Sequence, residues 1–454
     1  MRVVYKKCAG LDVHKKTVVV CVRCGSKNDV RTFSTVTCEL QKMAAWLVSE
    51  GVQAIAMEST GVYWKPVWNV LEEIEADWEL LLVNAKHVKQ VPGRKTDVKD
   101  SEWLAELLRH GLLSASRIPE RDQRELRDMT RYRRSLIRNR VHEVQRLQKM
   151  LEGANIKLDS VISNVTGKSG LAMIRALLAG EKDTKKLASL AHKNIKATPE
   201  ELSQALEGAI GKAHRLLMEV LLEHIEHLDA QIERMQLEIE LQMERMGPFP
   251  SDEDGGGHAD SLVTHTQAFD PETGELLPES SQGSGITWTR AVELLDGIPG
   301  IAQRSAQDVL AEIGLDMEAF PTARHLASWA KVSPGNNESG GKRRSGRTGT
   351  GNKWLKTTLV EIAWAAVRKK DSYLKSLFAR LSGRRGSNRA IMAVARSILE
   401  AIYFMLKRNE PYRDLGGQHH ELLRRDHICH KAVRRLEKLG FEVQLVDVAK
   451  AACG

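Results

Sequence analysis

The stretch Arg94–Leu108, RKTDVKDSEWLAELL, decides how the first part of the chain reads. Thr96 is a suitable N-cap, and the residues after it are good helix formers. Asp97 and Asp100 lie one turn apart on that helix and share a face. By helical spacing the same face continues through Leu104 and Leu107, so two carboxylates head the stripe that points to the core. A buried carboxylate without compensation is costly. Either Lys or Arg, or a divalent metal, meets that need, while a helix end that is merely solvated is the plainer alternative. The rest of the chain has to separate these readings.

Upstream, Arg2–Val13, Lys16–Cys24 and Val30–Val36 read as three strands of an antiparallel meander. Glu39–Glu50 is an amphipathic helix, Val52–Met57 a buried strand, Val62–Glu75 a second helix and Glu79–Asn84 a strand, before the helix Asp97–His110. A meander followed by alternating strands and helices predicts an α/β domain, a mixed sheet with helices on its faces. Two more acids then fall into place. Asp12 is near the end of the first strand, with Gly10 on its own face leaving room beside it. Glu58 ends VQAIAM, just before a Thr60–Gly61 turn, and ligands in α/β sheets collect at such carboxyl ends. Asp12, Glu58, Asp97 and Asp100 make an all-oxygen set that suits a hard cation, Mg²⁺ or Mn²⁺, of the kind used in phosphoryl transfer. His14 and Lys15 are placed to touch phosphate, or simply to make a surface turn.

Downstream the pattern turns all-α. Gln123–Leu151 is a long helix crowded with arginines, Arg131, Arg134 and Arg138 among them, and either tracks a phosphate backbone or is a solvated face. Asp159–Gly211 reads as a small helical insert. Met218, Leu221, Ile225, Leu228, Ile232, Met235, Ile239, Gln242 and Met246 form a heptad seam, a coiled-coil signal that fits a second protomer or a fold back onto its own chain. Gly247–Gly285 is acidic and rich in Gly, Pro and Ser, a disordered linker by composition. Beyond it, Trp288–Leu295, the turn Asp296–Ile301 and Gln303–Ile313 resemble a helix-hairpin-helix, with Gly297 and Gly300 freeing backbone N–H groups for a phosphate. Ser333–Lys356 is a basic, Gly-rich loop carrying Lys342, Arg343, Arg344, Arg347 and Lys353. Ser339 stands before Gly340-Gly341-Lys342, where cations lower the barrier to a hydroxyl attacking phosphorus, although a loop that only binds DNA fits the composition as well. Thr357–Val367 and Ala390–Leu406 are apolar helices flanking a basic patch, Arg380–Arg389. The expected division is therefore 1–115, 116–246, 247–285, 286–410 and a polar tail, 411–454.

Bulk properties agree. A chain of 454 residues exceeds one ordinary core. Its 42% hydrophobic and 28% charged residues are those of a soluble globular protein, and the absence of a membrane-length apolar run or a signal h-region points to the cytoplasm. Gly247–Gly285 holds eight acids and no Lys or Arg, so removing them from the formal net +9 leaves +17 for the remainder. That excess suits a polyanion such as nucleic acid. Of six cysteines, Cys21-x-x-Cys24 invites a zinc site. On a strand, however, residues three apart face opposite ways, which predicts reduced thiols.

Six motifs taken together resemble the insertion sequence 110 family of transposases. They are GLDVHKK from Gly10, MESTGVYW from Met57, GRKTDVKD from Gly93, GIPGI from Gly297, NNESGGKRRSG from Asn336 and GNKWL from Gly351. The resemblance runs from about Gly10 to Leu406, with the acidic segment as an addition. It implies a RuvC-like, RNase H-fold N-terminal domain with its acidic tetrad at Asp12, Glu58, Asp97 and Asp100, a coiled coil, and a C-terminal transposase domain with nucleophilic Ser339. Gly340 stands where relatives often have Ala. It further implies a recombinase directed by a structured guide RNA that pairs with donor and target DNA. Dimers joining into tetramers would set the acids of one subunit beside the serine of another. A metal-only nuclease or junction resolvase, with water attacking, is the enzymatic alternative, and a non-catalytic nucleic-acid scaffold the other.

Overall fold

The computed structural model describes residues 2–59, 61–84, 97–248, 285–335, 337–339, 342–345, 348–349, 351–422 and 425–443. At 97–99, 337–339, 342–345, 421, 426 and 428 it describes the backbone alone. The expected N-cap Thr96, the acidic segment except its ends, Arg347 and Cys453 lie outside the described residues. The chain divides into two compact units, Met1–Glu120 and Arg121–Gly454. Among the described residues no helix is long and apolar enough to cross a membrane.

In the first unit β1 (Lys7–Val13), β2 (Thr17–Cys24) and β3 (Lys27–Ser34) form the meander. They are followed by α1 (Thr37–Ser49), β4 (Ala54–Glu58), α2 (Trp64–Glu72), β5 (Glu79–Val83) and α3 (Asp97–Arg109). The sheet order is β3-β2-β1-β4-β5. β2 runs antiparallel to both neighbours, whereas β4 and β5 run parallel to β1. This is the mixed sheet expected. Strand alternation divides β1 between two cores. Ala9, Leu11 and Val13 pack with Leu40, Met43 and Leu47 of α1 and Val67 and Leu71 of α2. On the other face Cys8 packs with Ala54, Ala56, Leu81 and Val83 against Leu104 and Leu108 of α3. Leu108 thus takes the place expected of Leu107, which is buried as well. β1 starts later than the alternation suggests, because the Val4 and Tyr5 amides donate to the Arg109 carbonyl at the end of α3. Cys8, Cys21, Cys24 and Cys38 are free thiols; Cys21 is buried and Cys24 exposed, as opposite strand faces require.

Among the described residues the second unit is helical apart from one small hairpin and a bridge between Pro248 and Thr287. α4 (Arg121–Gly153) is followed by an insert of short helices, α5 (Leu158–Val161), α6 (Lys168–Leu178), α7 (Thr184–Ser189) and α8 (Pro199–Ala205). α9 (Lys212–Arg245) then runs back antiparallel along α4. Leu126 meets Ile239 and Met243 at one end, Leu136 meets Leu228 and Ile232 midway, and Leu147 and Leu151 meet Met218, Leu222 and Ile225 at the other. The seam therefore folds back on its own chain. Its buried line is Met218, Leu222, Ile225, Leu228, Ile232, Gln236, Ile239 and Met243; Leu221, Met235, Gln242 and Met246 are only half-buried. The shift by one residue is what an α-helix of 3.6 residues per turn does to a strict seven-residue spacing when the pair does not supercoil fully. The insert packs on the Leu147–Leu151 end of the pair.

At the other end the pair shares one core with α10 (Trp288–Asp296), α11 (Gln303–Ile313), α12 (Ala323–Trp329), α13 (Lys353–Ala366), α14 (Tyr373–Arg385) and α15 (Ser387–Arg408). Asn337–Ser339 and Lys342–Ser345 pair as strands β6 and β7, so part of the expected loop is a hairpin. Two short helices, α16 (His419–Leu422) and α17 (Arg425–Glu437), follow in the tail.

Candidate active site and nucleic-acid interface

Strand register sets the first pair of acids. β1 and β4 are parallel neighbours with Gly10 beside Ala56 and Leu11 beside Met57. One step further along each strand come Asp12 and Glu58, at adjoining carboxyl ends. Asp12 belongs to the Cys8–Gly10 face, the face covered by α3. A Cβ on Gly10 would lie 2.2 Å from the Ser101 carbonyl oxygen and 2.5 Å from the Ala105 nitrogen, so the helix backbone rests directly on the strand. The Cys8 thiol donates to the Ala105 carbonyl at 3.3 Å. Because Arg109 is tied to the start of β1, α3 runs antiparallel to it. Its first turn, with Asp97 and Asp100, consequently lies toward the strand ends that carry Asp12 and Glu58.

Asp12 is 8% exposed, and its Oδ2 lies 3.1 Å from Nε2 of half-exposed His14. The His14 amide donates to the Thr17 carbonyl and closes the β1–β2 turn. Among the described residues no three His, Cys, Asp or Glu side chains are already arranged as a metal cage, and the Asp97 side chain lies outside that set. The donor chemistry nevertheless fits a hard divalent cation: carboxylates from two strand ends beneath the N-terminus of a helix, whose dipole favours anions there.

In the second unit, Ser339 pairs with Lys342 and Glu338 with Arg343, with an irregularity between Asn337 and Glu338. Ser339 is thus the last strand residue before Gly340-Gly341, with a lysine directly across the ladder. The exit from this hairpin is anchored. Lys356 Nζ donates to Thr348 Oγ1 at 2.7 Å, and Asn352 caps α13 through the amides of Trp354 and Leu355. Asn352 Nδ2 also donates to Glu312 Oε2 at 2.6 Å. Glu312 is buried, and the guanidinium of Arg131 grips it with two bonds of 2.7 and 2.8 Å.

The three arginines expected to bind nucleic acid therefore differ. Arg131 pairs with Glu312, while Arg134 bonds Thr358 and Glu361 and lies 3.7 Å from Asp308. Both hold α4 to α11 and α13. Arg138 is exposed, its guanidinium 5.5 Å from the centre of the Trp354 ring. Gly300 has φ +86°, and a Cβ there would strike the Ala366 nitrogen at 2.5 Å, so close packing on α13 accounts for that glycine. Gly297 has an ordinary helical φ of −65°. Sequence reasoning took Arg133 as one more arginine of the basic helix, and missed Asp308, Glu312 and Trp354. A signal existed: Arg127, Arg131, Arg134 and Arg138 repeat at helical spacing, and Asp308 and Glu312 do so on α11, but nothing local shows that the two rows meet.

What the sheet and the helices define is a protein of two units, a mixed α/β unit followed by a helical one. Residues 9–156 match the transposase model DEDD_Tnp_IS110, and residues 292–379 the model of the transposase IS116/IS110/IS902 family. The chain belongs to the IS110 family of transposases. It is 34% identical over 127 residues to the transposase for insertion sequence element IS1111A of Coxiella burnetii, across 26% of this chain and 34% of that protein. It is 32% identical over 127 residues to a probable family 20 transposase of Pseudomonas aeruginosa (27% and 37%), and 28% identical over 122 residues to a pilin gene-inverting protein of Moraxella bovis (26% and 38%). The matched stretch thus spans little more than a third of each of these relatives. T. thermophilus RuvC in complex with Holliday junction substrate is matched across 24% of this chain and 99% of that one, at 14% identity and a TM-score of 0.20. That superposition is too loose to add to what the strand order says.

Proposed function

We propose that the protein is an insertion-sequence transposase that works as an RNA-guided DNA recombinase. The observation that carries this reading is the placement of Asp12 and Glu58 at adjoining strand ends beneath the helix that starts with Asp97 and Asp100, in a chain matching one transposase family in two separate stretches. Asp12, Glu58, Asp97 and Asp100 hold Mg²⁺, or Mn²⁺ in its place, which when bound polarises the phosphate under attack. Ser339 is the nucleophile. Its Oγ bonds to phosphorus, the bond from phosphorus to the 3′ oxygen breaks, and the serine proton passes to that oxygen. A 5′-phosphoserine and a free 3′-OH result, and a 3′-OH from a second strand reverses the step on a new partner. An ordinary serine hydroxyl is a weak nucleophile, and the charge of Lys342, Arg343 and Arg344 is the field that assists it. The resemblance adds a structured guide RNA, and dimers joining into tetramers so that acids and serine come from different subunits.

The test is a nicked suicide substrate offered to wild type, Ser339→Ala, Asp97→Asn and Asp100→Asn in Mg²⁺. Wild type leaves DNA on a peptide containing Ser339, and each variant loses at least about a hundredfold in rate while still binding nucleic acid. Cleavage that survives in Ser339→Ala without an adduct supports water attack by a metal-only nuclease. An adduct on Ser333 or Ser345 moves the nucleophile. Full activity in both aspartate variants removes the tetrad.

A further inference from the structure

A groove of about 660 Å³ between α4, the start of α11 and the start of α13 is used by neither the acid cluster nor the hairpin of Ser339. Arg138 and Val141 line one wall, Lys353, Trp354 and Thr357 the other, and Ser305 lies toward the turn between α10 and α11. Three cations surround the half-buried Trp354 ring: Arg138 at 5.5 Å from its centroid, Lys353 at 5.7 Å and Arg131 at 5.9 Å. Cations gathered this closely repel one another unless anions accompany them. Arg131 has its anion in Glu312. Arg134, also in the groove, is committed to Glu361 and Asp308. Arg138 and Lys353 are both exposed, and among the described residues neither has a carboxylate partner.

The carboxylates thus fix two arginines as scaffold and leave two cations uncommitted beside an aromatic plane. Trp354 itself is held in place, since its amide is capped by Asn352 and α13 is tied through Asn352 to Glu312. An aromatic platform flanked by free cations and hydroxyls is the equipment for an unpaired nucleotide: the base stacks on the ring and the phosphates meet the cations. A base inside a duplex already stacks on its neighbours and is not presented this way. An acidic peptide would use the cations but leave the indole without a partner.

We propose that this groove takes an unpaired nucleotide of an RNA or DNA strand, with its base stacked on Trp354 and the adjoining phosphates on Arg138 and Lys353. The inference rests on the nucleic-acid reading above and assigns it a specific subsite. It is tested on the full chain by titrating single-stranded and duplex 12-mers, as RNA and as DNA, over a range of salt. Trp354→Leu weakens single-strand binding roughly tenfold, the loss of one stack, with an unchanged salt slope and unchanged duplex binding. Trp354→Phe keeps most of the affinity. Arg138→Gln with Lys353→Gln lowers the slope by up to about 1.4 units, for two phosphates on a single strand. A loss confined to RNA places the guide strand in the groove, a loss confined to DNA the substrate strand, and an equal loss a nucleotide of either. Photocrosslinking of an iodouracil oligonucleotide to a peptide containing Trp354 supports the site without any substitution. Unchanged single-strand binding in Trp354→Leu, or a loss equal for duplex and single strand, overturns the subsite while leaving the proposed function standing. A wild-type chain that binds no oligonucleotide overturns both.

Discussion

Arg133 keeps 1% of its surface exposed, between α4, α9 and α11. It donates to Asp308 and Gln236, each at 2.6 Å, to the Arg304 carbonyl at 2.9 Å, and to Gln307. Burial pushes the guanidinium pKa down and the Asp308 carboxyl pKa up, in both cases against the charged form, and each partner's charge opposes the shift of the other. Such a pair adds little net stability, but half of it alone is costly. Arg133→Met should cost about 3–5 kcal/mol in chemical denaturation, whereas adding Asp308→Leu should recover most of that loss. A double variant no more stable than the single would show that Gln236 and Gln307, not the stranded carboxylate, set the cost. At this scale the sequence reveals charge and hides its destination. Arg131 and Arg133 look as available as Arg138, because the carboxylates that claim them come more than 170 residues later. Asp12 and Glu58 were easier to read, since strand alternation and a following turn are local signals.

Among elements, α3 on β1 is the contact on which the proposed acid site depends. Gly10 is the reason that the two backbones touch, and the obstruction met by a Cβ is main chain rather than a side chain that can swing away. Gly10→Ala should therefore lift the first turn of α3 off the strand, at about 1–3 kcal/mol of stability. Cleavage should fall well beyond what that loss of folded protein explains, with nucleic-acid binding retained. A melting curve beside a suicide-substrate assay checks both, and normal cleavage would mean that α3 shifts freely. The meander and the seam were legible because each is a repeating apolar pattern. The hairpin of Ser339 was not: its strands, Asn337–Ser339 and Lys342–Ser345, hold no apolar residue to show alternation. Only the two glycines between them hint at a turn.

For the whole molecule the informative fact is which helices share a core. α4 and α9 bury Leu126, Ile239 and Met243 together with residues of α10 through α15, so the long pair is built into the second unit. Residues 249–284 join two parts of that core, α9 and α10, which Pro248 and Thr287 already bring together in a short β-bridge. Because the ends of this segment are held close by the fold, replacing it with a short Gly/Ser linker should leave the melting temperature within about 2 °C of the parent chain. A fall of several degrees would show that the acidic segment docks somewhere on the protein. Composition had marked the segment, but the closeness of its ends is a product of tertiary packing that no local pattern records.

Glu312 accepts at once from Arg131 on α4 and from Asn352 at the start of α13, two residues 221 positions apart. One carboxylate thereby makes the far end of the Ser339 loop answerable to a helix from the opposite half of the chain. The loop is not a cassette. A chimaera that imports the corresponding segment from a relative brings in a residue never fitted to this carboxylate. A transplant that keeps these contacts should carry the loop together with Glu312, Arg131 and Arg127, so a domain exchange should be cut outside all of them.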